Sequence, residues 1–178
     1  MIRRLAAGVR RRWRRLAHLG VLLGSERIPL RARPMASLES DLPTPGDAVR
    51  WLGALAIGGE TREALFAHPR SQVTYSWRAR RGDVVTADCA LLPDVWSKNS
   101  GGVAFTIAVT VPATGATASE TLVLNPGRRP GDRRWRPLRV AIPIERDDEV
   151  SIAFATRVPD AKHPAGESLL VFERPDRA

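Results

Sequence analysis

Val103-Ala104-Phe105-Thr106-Ile107-Ala108-Val109-Thr110-Val111 places a large apolar residue at every second position, with small or polar residues between. Successive side chains of an extended strand point to opposite faces, so this stretch reads as a strand with one face in a core and the other toward water. The same period recurs on both sides of it. Val73, Tyr75 and Trp77 alternate with polar neighbours, as do Val85, Ala87, Cys89 and Leu91, then Leu138, Val140, Ile142 and Ile144, then Val150, Ile152 and Phe154. Shorter apolar runs at 51–57, 121–124 and 169–172 complete the set. Turn clusters separate the runs: Arg81-Gly82-Asp83, Ser100-Gly101-Gly102, Asn125-Pro126-Gly127 and Pro159-Asp160. Many short half-buried strands between such turns predict an all-β domain over residues 48–174, an antiparallel two-sheet sandwich of jelly-roll type. One turn of helix is expected in it, at residues 60–65.

The chain ahead of this domain differs in charge. Residues 1–33 hold ten arginines and one acid, Glu26, which is the whole of the +9 net charge; the remainder is neutral. Read as a helix, residues 1–24 gather Ile2, Leu5, Val9, Trp13, Leu16 and Leu23 within an arc of about 80°, and Arg3, Arg4, Arg10, Arg11, Arg14 and Arg15 fall opposite. A basic amphipathic helix of this kind suits an anionic membrane surface or a protein groove beside one. Residues 25–47, with Pro29, Pro34, Pro43 and Pro45, read as an extended connector. Pro34-Met35-Ala36-Ser37 makes a poor cleavage site, so the arm is expected to stay on the chain. No apolar run approaches the length of a transmembrane helix.

Catalytic chemistry finds little to work with. The chain has no Gly-rich phosphate loop, no zinc-protease helix motif and no nucleophile elbow. Cys89 is the single cysteine and sits in an apolar alternation, which predicts a core thiol. His68 precedes Pro69 and reads as a turn residue before a general base. Glu145, Asp147, Asp148 and Glu149 read as a solvated turn, with weak calcium binding as the lesser alternative. No enzyme activity, metal or cofactor is expected. Two features offer binding chemistry. The loop at 125–137 carries Arg128, Arg129, Arg133, Arg134 and Arg136 against Asp132 alone, either a solvated face or a second anionic contact. Trp96 and Trp135 stand close to strand starts, where they either pack in the core or stack on a sugar ring.

Three segments carry a family resemblance: Glu63-Ala64-Leu65-Phe66-Ala67-His68-Pro69-Arg70-Ser71-Gln72-Val73-Thr74-Tyr75; Asp94-Val95-Trp96 with Gly102-Val103-Ala104-Phe105-Thr106-Ile107; and Trp135-Arg136-Pro137-Leu138-Arg139-Val140. Together with Phe154-Ala155-Thr156 they resemble the jelly-roll modules related to carbohydrate-binding domains appended to bacterial glycosidases, over residues 60–173. The resemblance implies the sandwich fold and, as a function, sugar binding. The reading placed first from charge is different: a non-catalytic accessory subunit whose arm holds it to a bacterial membrane protein complex, such as a photosynthetic or respiratory assembly, at the cytoplasmic face. Its partners would be subunits of that complex and anionic lipid headgroups, through Arg3, Arg4, Val9, Arg10, Arg11, Trp13, Arg14, Arg15 and Leu16. The alternative is a carbohydrate-binding module anchored to the membrane, facing the periplasm. Nucleic acid ranks below both, because the body has no helix-turn-helix and no aromatic RNA-binding signature.

Overall fold

In the computed structural model of the chain, residues 34–97 and 101–159 and the backbone of 168–177 are described. Ten strands run through them: β1 (Ser37–Ser40), β2 (Val49–Ile57), β3 (Glu60–Ala67), β4 (Ser71–Ala79), β5 (Asp83–Leu91), β6 (Val103–Thr110), β7 (Thr117–Leu124), β8 (Arg136–Ala141), β9 (Asp148–Arg157) and β10 (Ser168–Arg177). They form two five-stranded sheets, ordered β1-β4-β9-β6-β7 and β2-β3-β10-β5-β8, with every pair antiparallel. The last eight strands are nested: β3 pairs with β10, β4 with β9, β5 with β8 and β6 with β7. That is one long hairpin rolled over on itself, the pairing of a jelly roll.

Alternation builds the core as expected. Val73 and Tyr75 of β4, Phe105, Ile107 and Val109 of β6, and Ile152 and Phe154 of β9 meet Val85, Ala87, Cys89 and Leu91 of β5 and Leu138 and Val140 of β8 between the sheets. Tyr75 and Phe154 pack edge to face, with ring centroids 6.2 Å apart. Burial raises the Tyr75 hydroxyl and the Cys89 thiol above their ordinary pKa ranges, and the charge of neighbouring Asp88 adds to the thiol's shift. Cys89 is accordingly a neutral core thiol.

Where the structure departs from the sequence reading, the cause is local. Residues 60–65 are strand, not a helical turn. Gly58 and Gly59 both take positive φ, 61° and 85°, between the Ile57–Glu60 pair. This two-residue turn matches strand twist, and its ladder overrides the helical leaning of Glu-Ala-Leu. The helical turns found in the domain lie elsewhere, at Pro45–Ala48, Pro93–Val95 and Pro130–Asp132. β7 begins at Thr117, ahead of its apolar residues, because an edge strand shows mostly polar side chains. β8 stops at Ala141, two residues before Pro143. β1 lies inside the stretch read as connector and is paired to β4. The helical arm, residues 1–24, lies outside the described residues.

One hairpin leaves its sheet. β3 pairs with β10 at Leu65, Phe66 and Ala67, and its earlier residues turn away. Arg62 forms an ion pair with Asp88 on β5, the indole N–H of Trp135 donates to the Glu60 carbonyl at 3.1 Å, and Gly58 sits so close to Arg134 that a Cβ there would lie 2.7 Å from the arginine's own. The β2–β3 hairpin therefore folds over the outer face of its sheet. It closes a second, smaller core of Ile57, Ala64, Phe66, Ala90 and Trp135.

Candidate functional site

Ser40, Ser71 and Thr156 lie in one row across β1, β4 and β9, at the end of the sheet where β3 hands over to β4. The connection is His68-Pro69-Arg70. Proline keeps the preceding residue extended, and the chain must then reverse within two residues. It does so by putting Arg70 at φ 71°, a left-handed conformation taken by no other non-glycine residue among those described. Such a conformation costs a side-chain-bearing residue of order 1–3 kcal/mol and persists only where the surroundings impose it.

The surroundings do impose it. The Arg70 N–H donates to the Thr156 carbonyl at 2.6 Å, the Thr156 hydroxyl donates to the His68 carbonyl at 2.7 Å, and the His68 N–H donates to the Ala48 carbonyl at 2.7 Å. The Asp41 N–H reaches back to the Arg70 carbonyl at 3.3 Å. Thr156 is fully buried, so its hydroxyl is a fixed internal brace. The His68 ring is engaged as well, its Nδ1 lying 3.0 Å from the Pro69 carbonyl, which leaves it a turn residue.

Around this brace opens a cleft of about 440 Å³, lined by Glu39, Ser40, Asp41, Arg70, Ser71, Gln72, Ala155, Thr156, Arg157 and Val158. Two carboxylates, two guanidinium groups and an amide are among its lining residues, with charge in balance, while the Thr156 hydroxyl stays on the His68 carbonyl. Arg70 and Asp41 touch across it, Nη1 to Oδ2 at 3.3 Å, with both side chains more than half exposed. An exposed, single-contact pair of this sort is weak, so a ligand can exchange with it. None of the lining residues is aromatic; the arrangement grips by hydrogen bonds. It can bind a compact, polyhydroxylated molecule by presenting donors and acceptors side by side.

The residues singled out from sequence fall differently. Trp135 is 6% exposed and belongs to the second core, its N–H given to Glu60. Trp96 is half-buried against both cores, its N–H donating to the Leu91 carbonyl at 2.9 Å, with the Arg133 guanidinium 5.8 Å from its ring centre. The two indoles do not form an open platform. Asp132, buried, organises the arginine loop: its Oδ2 accepts from the Asn125 N–H at 2.9 Å and pairs with Arg129 at 2.9 Å, while its Oδ1 stands 3.6 Å from Arg136. Arg129 also donates to the Val123 carbonyl, and Arg133 to the Pro126 carbonyl at 3.0 Å. Arg128 and Arg134 point to solvent. The acidic turn at 145–149 lies at the other end of the sandwich, and no group of three potential metal ligands occurs among the described residues. The basic arm from Arg3 to Leu16 lies outside them.

Sequence reasoning missed Asp41, Arg70, Gln72 and Arg157. Its nearest signal was His68-Pro69 followed by an arginine, a turn whose geometry depends on a threonine far along the chain.

No protein-family model matches this chain, and no curated protein matches it. Among solved structures it is similar to the TmCBM61 module in complex with β-1,4-galactotriose, at 11% identity and a TM-score of 0.49, over 84% of this chain and 92% of that one. It is similar to the CBM51-2 and INT domains of Clostridium perfringens ZmpB, at 17% identity and a TM-score of 0.49, over 81% of this chain and 31% of that one. TmCBM27, a mannan-recognising carbohydrate-binding module, covers 80% of this chain at 8% identity with a TM-score of 0.43. The resemblance to carbohydrate-binding sandwich modules read from the sequence is thus met in the solved structures, as a likeness of architecture. The expectation of a subunit bridging a membrane complex is corrected to this extent: the solved structures this chain is similar to are carbohydrate-binding modules, and none is a membrane-complex subunit among those named here. Of the five arginines read as a solvated face or a second anionic contact, Arg129 and Arg136 share an ion pair with Asp132. Among the described residues, no helix is long and apolar enough to cross a membrane.

Proposed function

We propose that this domain is a non-catalytic carbohydrate-binding module and that the cleft at the β1-β4-β9 end is its sugar site. The single observation that supports this reading is the cleft itself: Asp41, Arg70, Gln72 and Arg157 present acceptors and donors around one polar space, on a turn that a buried threonine holds in a strained shape. Rigid placement of polar groups is what selective recognition of hydroxyls requires. Asp41 and Arg70 take adjacent hydroxyls in place of each other, Gln72 supplies an amide able to donate and accept, and Arg157 closes the far side. The module binds its sugar without turning it over, with Cys89 buried and His68 committed to its own turn.

The test is a titration of the purified chain with β-1,4-galactotriose, N-acetylglucosamine and mannan oligosaccharide, followed by amide chemical shifts. The expected result is saturable shifts at Arg70, Gln72 and Arg157 with at least one sugar, lost in the Gln72→Ala/Arg157→Ala double variant. Unmoved amides at these positions with all three at millimolar concentration would overturn the assignment of the cleft.

A further inference from the structure

The Arg70 side chain gives the fold less than it takes. The main chain is what holds the turn: the Arg70 N–H donates to the Thr156 carbonyl at 2.6 Å and its carbonyl accepts from the Asp41 N–H at 3.3 Å. Neither bond uses the side chain, and glycine would make both without the left-handed penalty. The guanidinium makes one polar contact among the described residues, the 3.3 Å pair with Asp41, and both partners are more than half exposed. An exposed pair of this kind returns less than a left-handed conformation costs a residue that carries a side chain. A strained position filled by the less suited residue has its use outside the fold.

That use is set by what can take the place of the pair. A molecule entering between Asp41 and Arg70 must offer the guanidinium an acceptor and the carboxylate a donor. An ionised acid only accepts and an ammonium group only donates, so each satisfies one partner and opposes the other; a hydroxyl does both. Two hydroxyls on neighbouring ring carbons serve the two partners at once. The rest of the lining keeps the same balance. Glu39 stands against Arg157, both exposed and outside the ion pairs of the described residues, and the Gln72 amide offers donors and an acceptor together.

We infer that Arg70 is the specificity-determining residue of the cleft, and that it and Asp41 together take a vicinal diol of one neutral sugar ring. The inference rests on the reading of the cleft as a sugar site and adds the class of its ligand: neutral rings with two free adjacent hydroxyls, with sugars charged in either sign disfavoured.

In the methyl glycosides of galactose, mannose and N-acetylglucosamine every adjacent hydroxyl pair includes the 3-hydroxyl, so their 3-deoxy forms have none. Titrated into the full chain and followed by amide shifts, at least one parent glycoside is expected to move Arg70 and Gln72 saturably. Its 3-deoxy form and the corresponding uronide are expected to bind about tenfold more weakly. The Arg70→Gly variant is expected to melt higher than the parent chain and to bind the glycoside about tenfold more weakly, a gain and a loss together that a merely structural residue does not give. Asp41→Ala, altered at an exposed side chain, is expected to lose affinity likewise; unchanged or tighter binding there would show that Asp41 only competes for Arg70 and would overturn the exchange. Undiminished binding by Arg70→Gly, of a 3-deoxy glycoside or of the uronide would overturn this inference and leave the cleft reading standing, as would a melting temperature for Arg70→Gly no higher than the parent's. Failure of all three glycosides, while β-1,4-galactotriose or mannan oligosaccharide still shifts the cleft amides, would overturn this inference alone; failure of every sugar would overturn both.

Discussion

Two arginine-bearing connections meet at one end of this sandwich and are built on opposite principles. The β3–β4 turn has a single arginine, Arg70, in a strained backbone held by hydrogen bonds from three separate segments. The β7–β8 loop and the first residue of β8 carry five arginines, organised around one buried carboxylate, Asp132. The first stores its information in the main chain, the second in side-chain charge. Charge density therefore does not mark the better-formed site: the conspicuous stretch directs three of its arginines to its own structure, whereas the inconspicuous turn shapes a cleft.

Removing the hub of each connection sharpens this contrast. Asp132→Ala leaves Asn125 N–H without its acceptor and Arg129 and Arg136 without their counter-charge, so it is expected to cost about 2–4 kcal/mol of stability, read from chemical denaturation. A cost within experimental error would mean that the loop stands without its carboxylate. Thr156→Val keeps volume and removes the hydroxyl that braces His68; a loss of about 1–3 kcal/mol is expected, together with shifted amides at Asp41 and Arg70. If those amides stayed in place, the brace would not be what bends the turn.

Smaller effects probe the strain directly. Arg70→Gly relieves the left-handed penalty and is expected to raise stability by up to about 1 kcal/mol, whereas Arg70→Ala keeps the penalty and leaves stability near that of the parent. Equal melting temperatures for the two variants would show an unstrained turn and erase the distinction between the two connections. Least of all, Arg128→Ser is expected to change stability by less than about 0.5 kcal/mol, since the side chain is exposed. A larger loss would show that this arginine helps hold the fold.

Much of the architecture was legible because a half-buried strand writes its burial as period two. β4, β5, β6 and β9 each show it, and each contributes side chains to the main core. β3 hid its nature, since its pairing comes from two glycines in left-handed conformations beside it and its far half covers a sheet face rather than extending the ladder. Trp135 was readable as either a core residue or a sugar platform, and the choice fell to the hairpin that covers it, 75 positions away in the chain. The cleft was hidden for a similar reason. Glu39, Asp41, Arg70, Gln72 and Arg157 come from three separated stretches, and none is unusual where it stands.

What this sequence determined by itself is which residues turn inward, where most strands begin and end, and where its charge accumulates, because periodicity, turn chemistry and charge count are properties of neighbours along a chain. Which carboxylate answers which arginine, which indole is covered, and that Arg70 must adopt a left-handed backbone to let Thr156 brace its turn were decided by tertiary structure alone. Those outcomes depend on distances between segments, and a distance exists only once the hairpin has rolled up and placed β1, β4 and β9 side by side.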